Sequence, residues 1–214
     1  MHNSNKVLYA LFGLALFKVQ DVFSAPDTKV APQTIEKRVL KDFSFNPPNI
    51  QRVIEMGLDL AGRNLGYKYG SANPSAQGMD CSGTMYYLLT QLGILSVPRS
   101  SDGQYQWVKE KGKFYPANTS DIQSDTFSNL KPGNLLFWSG TYQTPDNVQA
   151  SHVMMYIGKN SQGERLMVGA SDGRTYQGRQ IFGVSVFDFK LPSPNSKSKF
   201  LGYSCIPNFS CDAS

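Results

Sequence analysis

Helical periodicity in this chain is confined to the first half, and the clear strand signals lie in the second. Ile50, Val53, Ile54, Gly57, Leu58, Ala61 and Leu65 recur at helical spacing and predict an amphipathic helix over residues 49–65, with Gly66 as its stop. A second helix is expected from Asp80, a good N-cap, through the apolar stretch 84–92 to Gly93. Residues 67–79, rich in Gly, Ser, Asn and Pro, read as loop, and 94–130 as irregular chain with short helical turns at most. Strand signals then follow at 135–138, 152–157, 165–168, 184–189 and 200–205, with turns at Lys131-Pro132-Gly133 and Gly158-Lys159-Asn160. Helices first and strands afterwards argue for an α+β fold with an antiparallel sheet, not for alternating βαβ units. There is no internal repeat. At 214 residues, 40% hydrophobic, with thirteen Phe and eleven Tyr, the chain suits one domain with a real core.

The amino terminus reads as a secretory signal over residues 1–24. Lys6 supplies a positive start, and residues 7–17 form an apolar run too short for a comfortable membrane span. Cleavage after Ser24 or Ala25 is the expectation; an uncleaved membrane anchor is the alternative. No Cys follows closely enough to carry a lipid. Residues 25–48, with Pro26, Pro32, Pro47 and Pro48, read as a linker or extended arm, which leaves 49–214 as the functional domain. Removing Lys6, Lys18 and Asp21 with the signal lowers the net charge from +5 to +4. That mild surplus lacks the dense basic patch that nucleic acid asks for, and it suits an anionic cell-wall polymer. A monomer acting in the periplasm or outside the cell is expected.

Two His and three Cys are all the chain has. His2 leaves with the signal, so His152 is the one mature imidazole. Most zinc sites need more, and neither a metal nor another cofactor is expected. Export implies an oxidising compartment, where Cys205 and Cys211 are expected to form a disulfide closing a small loop. Cys81 is then the odd thiol. It sits in Gly78-Met79-Asp80-Cys81-Ser82-Gly83, at the start of the second helix. Free N–H groups and the helix dipole would lower its pKa there and could hold an oxyanion. A free Cys is as often an inert buried residue. On position alone the two readings are even. His152 opens a strand, on one face with Met154 and Tyr156, from where it could pair with Cys81. The stretch Gly169-Ala170-Ser171-Asp172-Gly173 mimics a serine-hydrolase elbow, but no His follows residue 152 and no helix signal follows Gly173, so that reading is rejected.

In order and spacing, Gly66-Tyr67-Lys68-Tyr69-Gly70, Asp80-Cys81-Ser82-Gly83, Val97-Pro98-Arg99-Ser100-Ser101, Leu130-Lys131-Pro132-Gly133-Asn134-Leu135-Leu136-Phe137 and Ser151-His152-Val153 through Tyr156-Ile157-Gly158 resemble the NlpC/P60 family of papain-like cell-wall cysteine peptidases. The likeness covers roughly residues 50–190. It implies a catalytic helix packed on an antiparallel sheet, with Cys81 as nucleophile and His152 as general base. It implies a stem-peptide pocket bordered by Tyr67, Asp80 and Ser82, and peptidoglycan stem peptides as substrate, often cut between γ-D-glutamate and a diamino acid. Asp80 could hold a substrate amine, cap the helix, or both; Arg99 could serve the pocket or the scaffold. Tyr67 could equally belong to the core, and Tyr69 is expected there. One departure stands out. The family orients its His with a polar residue on the next strand, and here Gly169 falls at that position, leaving Ser171, Asp172, a backbone carbonyl or a water for the task. The same Cys–His pair would also serve a cell-wall amidase or a secreted amidase toxin, and the gap at Gly169 keeps a catalytically weakened wall-binding protein in view.

Overall fold

The structure, a computed structural model, describes residues 30–211; the expected signal at 1–24 lies outside them. Its three α-helices are α1 (Pro48–Ala61), α2 (Cys81–Gln91) and α3 (Ser101–Lys111). The strands are β1 (Gly66–Tyr67), β2 (Gly78–Met79), β3 (Phe114–Pro116), β4 (Leu135–Ser139), β5 (His152–Lys159), β6 (Arg165–Ser171), β7 (Thr175–Tyr176), β8 (Arg179–Gln180), β9 (Gly183–Asp188) and β10 (Lys199–Ser204). Six of them form the central sheet in the order β3-β10-β4-β5-β6-β9, and every neighbouring pair is antiparallel. This is the expected α+β arrangement.

The helices bury the apolar stripe that the sequence shows. Ile50, Val53, Ile54, Gly57, Leu58 and Ala61 of α1 are buried, as are Met85, Leu88 and Leu89 of α2. Each large side chain of this set contributes about 1.5–3 kcal/mol by leaving water. Gly57 lets α1 approach β6: a Cβ there would meet Val168 Cγ1 at 2.9 Å. α1 ends before the predicted residue 65. Asn64 adopts φ 55°, a left-handed conformation that no α-helix continues through, and Leu65 is buried from the turn instead.

Two further departures matter for the site. The stretch 94–130 holds a full helix, α3, capped by Ser100, whose Oγ accepts from Gly103 N at 3.0 Å. Its periodicity is hidden because its inner face is partly polar. Ser101 Oγ donates to Ala150 O, and Gln104 Nε2 donates to Ser82 O and Pro98 O. Residues 30–48, part of the expected linker or arm, lie against the body. Gln33 O accepts from Val186 N, Val30 bridges to Ile181, and Leu40 and Phe43 are buried. The Cys205–Cys211 disulfide is formed. Among the described residues no helix is long and apolar enough to cross a membrane.

Candidate active site

Cys81 is the first residue of α2, and Asp80 caps that helix by accepting from Gly83 N at 2.6 Å. The loop before the helix runs hard against this turn. A Cβ on residue 83 would lie 2.1 Å from Ser71 O, so only glycine fits. His152 is the first residue of β5, paired across the sheet with Trp138 of β4. The Cys81 thiol meets the backbone N–H groups of Val153 and Ser82. The nucleophile candidate therefore lies against the residue that follows His152.

Burial dominates the electrostatics. Cys81 is 5% exposed, and burial pushes its thiol up to about 11, against the pull of the Val153 and Ser82 N–H groups and of Arg174. The sequence argument for a depressed pKa at the helix start is overturned. Desolvation of the thiolate, with the nearby Asp80 charge, outweighs the Val153 and Ser82 N–H groups and Arg174. His152, 7% exposed, is held well below its usual 6.5 by burial and then by the Arg174 charge. At neutral pH the resting pair is a neutral thiol beside a neutral imidazole. Alkylation of Cys81 by iodoacetamide is accordingly expected to be slower at pH 7 than that of a free cysteine. It should climb about tenfold per pH unit up to pH 9, as rising pH removes the thiol proton. A plateau below pH 8 would show a thiolate already formed.

The residue bonded to His152 is one that sequence reasoning missed. Arg174 Nε donates to His152 Nε2 at 3.1 Å, and the guanidinium lies over the Trp138 ring, 4.0 Å from its centroid. Arg174 reaches the site from the turn after β6. Among the described residues, none of Gly169, Ser171 and Asp172 makes a hydrogen bond to the ring. Gly169 pairs with Ser185, and a Cβ there would press on Met154 at 3.1 Å. Ser171 instead holds the turn: its Oγ accepts from Gly173 N and Arg174 N at 3.3 and 3.2 Å. The Asp172 charge favours the protonated guanidinium, whose pKa burial lowers to about 10. No sequence signal singled out Arg174, because the cation reaches the ring over a separation of 22 residues from a turn outside the strand register.

Asp80, Ser82 and Arg99 form one cluster beside the helix start. The Asp80 carboxylate accepts from Gly83 N, Ser82 Oγ and Arg99 Nη1 on one oxygen, and from Gly70 N and Arg99 Nη2 on the other. Five donors and 5% exposure give this side chain a scaffolding task, and they occupy the oxygens that a substrate amine would need. Arg99 Nη1 also donates to Ser82 Oγ at 3.0 Å. The open-sided cavity at the site, ≈ 700 Å³, is lined by Tyr67, Tyr142, His152, Ser171, Asp172 and Arg174 among others, and by neither Asp80, Cys81, Ser82 nor Arg99. Tyr67 is half-buried, and its phenol is raised by burial and by the facing Cys81. Tyr69, expected in the core, is 76% exposed: its loop, pinned by Gly70 N on Asp80, turns it outward to meet Tyr142 edge to face at 6.4 Å. No group of His, Cys, Asp and Glu among the described residues could hold a metal.

Comparison with known proteins identifies the family. The chain is 28% identical over 135 residues to a gamma-DL-glutamyl hydrolase of Bacillus subtilis (strain 168), covering 60% of this chain and 28% of that protein. It is 26% identical over 111 residues to the murein DD-endopeptidase MepH of Escherichia coli (strain K12), covering 51% of this chain and 35% of that protein. It thus spans about a third or less of the length of these relatives. The NlpC/P60 family profile matches residues 64–181, from the turn before β1 to the residue after β8 and across both Cys81 and His152. That match takes in more than half of the sequence, and the chain belongs to the NlpC/P60 family.

Proposed function

We propose that this protein is an exported cysteine peptidase that hydrolyses peptidoglycan stem peptides at the bond between γ-D-glutamate and a diamino acid, with Cys81 and His152 as its catalytic pair. The observation that carries the reading is the contact of the Cys81 thiol with the Val153 N–H, which brings the unpaired thiol to the strand end that begins with His152. Both named relatives act on glutamyl or murein substrates by their names, which fits a cell-wall target.

In the reaction, Cys81 Sγ attacks the scissile carbonyl and backbone N–H groups at the start of α2 hold the oxyanion. His152 carries the thiol proton to the departing amine. Water then hydrolyses the thioester, returning the proton to sulfur. No metal or cofactor takes part. Digestion of purified sacculi with the full chain, followed by mass analysis of the fragments, tests this. Free γ-D-glutamyl ends and new diamino acid amines are expected. Release of intact stem peptides from the glycan would instead identify an amidase on the same pair, and unchanged sacculi would overturn the peptidase reading. A second reading, a wall-binding protein with reduced catalysis, is favoured by one observation: the resting thiol is held protonated by burial.

A further inference from the structure

Arg174 brings a guanidinium to the ring of His152, and the direction of its bond is fixed by chemistry. Arginine has five donors and no acceptor. The 3.1 Å bond from Arg174 Nε to His152 Nε2 therefore requires a lone pair on Nε2. A neutral imidazole has one proton, and it must then sit on Nδ1. We propose that Arg174 is a positioning residue that locks His152 as the neutral, Nδ1-protonated tautomer and carries, in place of an imidazolium, the positive charge that faces Cys81. The proposal rests on the reading of Cys81 and His152 as the catalytic pair.

The arrangement is built, not incidental. The guanidinium is stacked on Trp138, which is fully buried and pairs with His152 across the sheet. The turn that delivers it is held by Ser171 Oγ on Arg174 N, by Arg174 O accepting from Ile181 N at 2.9 Å, and by Gln180 Nε2 donating to Gly173 O. The groups around the ring and guanidinium are Cys81 at the start of α2, Tyr67 on β1, Tyr142 after β4, and Asp172 beside Arg174 in the turn. Asp188, Lys190 and Lys197 lie further round the cavity wall, with Lys190 paired to Asp188 at 3.0 Å. None of these offers a hydrogen bond to the ring that would compete for Nε2. With Nδ1 already protonated, His152 can take the thiol proton only on Nε2 and only once the bond from Arg174 has opened. Arg174 therefore opposes the imidazolium in the resting enzyme, favours the thiolate, and must release the ring for the proton transfer of the proposed reaction.

The test needs no substrate. In the full chain carrying His2→Gln, His152 is the sole histidine, and its two ring nitrogens can be read by nitrogen-15 NMR across pH 4 to 9. The expected spectrum shows a protonated Nδ1 and an unprotonated Nε2 at neutral pH, with no titration near 6.5. Arg174→Gln removes the charge and is expected to move the His152 titration up by about one unit or more, while Arg174→Lys, which keeps it, holds the titration low. An Nε2-protonated tautomer in the otherwise native chain, or a titration that Arg174→Gln leaves in place, would overturn the proposal. Sacculus digestion run in parallel separates this from the peptidase reading: either can fail while the other stands.

Discussion

Cys81→Ala is expected to reduce stem-peptide hydrolysis by at least about 10³-fold, with the protein still folded and still able to meet the wall. Removing a covalent nucleophile leaves only binding and oxyanion stabilisation, a small residue of the full rate in enzymes that act through an attacking side chain. The fold should tolerate the change. Cys81 is buried, but alanine fills all of its volume except the sulfur, and the cost is about 1 kcal/mol. The helix start keeps its Asp80 cap, and the Val153 and Ser82 N–H groups face the small space left behind. Cys81→Ser is expected to be as inactive, because a buried hydroxyl is a poorer nucleophile beside an imidazole that resists protonation. The measurement is fragment release from sacculi, set against co-sedimentation of the same proteins with intact sacculi. Wild-type and Cys81→Ala proteins releasing fragments at one rate would end the cysteine mechanism. Co-sedimentation of both without release by either would establish the wall-binding reading.

Much of this site is legible in the sequence because its main signals are local. An acidic N-cap with a cysteine in the next position marks the start of α2 in the sequence itself. The strands announce themselves through turn residues and apolar runs, and five of the six strands of the main sheet fall within a few residues of where they were expected. What escaped is set by tertiary environment. α3 reads as irregular because Ser101 and Gln104 face inward, and their polar groups are satisfied by backbone carbonyls from other elements. Tyr69 looks like core material by type, yet its loop turns it out, since Asp80 pins Gly70. The thiol pKa cannot be read from helix position alone, because the sign depends on how much water the fold removes. Arg174 escaped for a related reason. The next strand offers Gly169 at the position where the resemblance puts a partner for His152, and the partner comes instead from the turn beyond that strand.

Asp80→Ala is expected to destabilise the protein by about 3 kcal/mol and lower its melting temperature by about 10 °C, the largest stability effect among single changes at the site. Loss of the N-cap bond to Gly83 N accounts for about 1 kcal/mol. The rest comes from the cluster, where one carboxylate accepts from Gly70 N, Ser82 Oγ and both Arg99 terminal nitrogens. Bonds to a charged group are individually worth more than neutral ones, but they share two oxygens and do not add. The Arg99 side chain is 38% exposed, so water can take up part of its freed charge, which holds the total near 3 kcal/mol rather than the larger cost of a fully buried orphan. Asp80→Asn should lose about half as much, since an amide oxygen still caps Gly83 N while the paired bond to Arg99 is lost. Activity should fall in both variants for a structural reason. Gly70 N loses its carboxylate partner, which loosens the loop at the helix start, and Tyr67 borders the cleft beside that loop. Thermal unfolding of the three proteins, with KM and kcat on a soluble stem peptide, checks both parts: KM should rise more than kcat falls. An Asp80→Ala protein that melts with the wild type would show that Asp80 serves the substrate and not the scaffold.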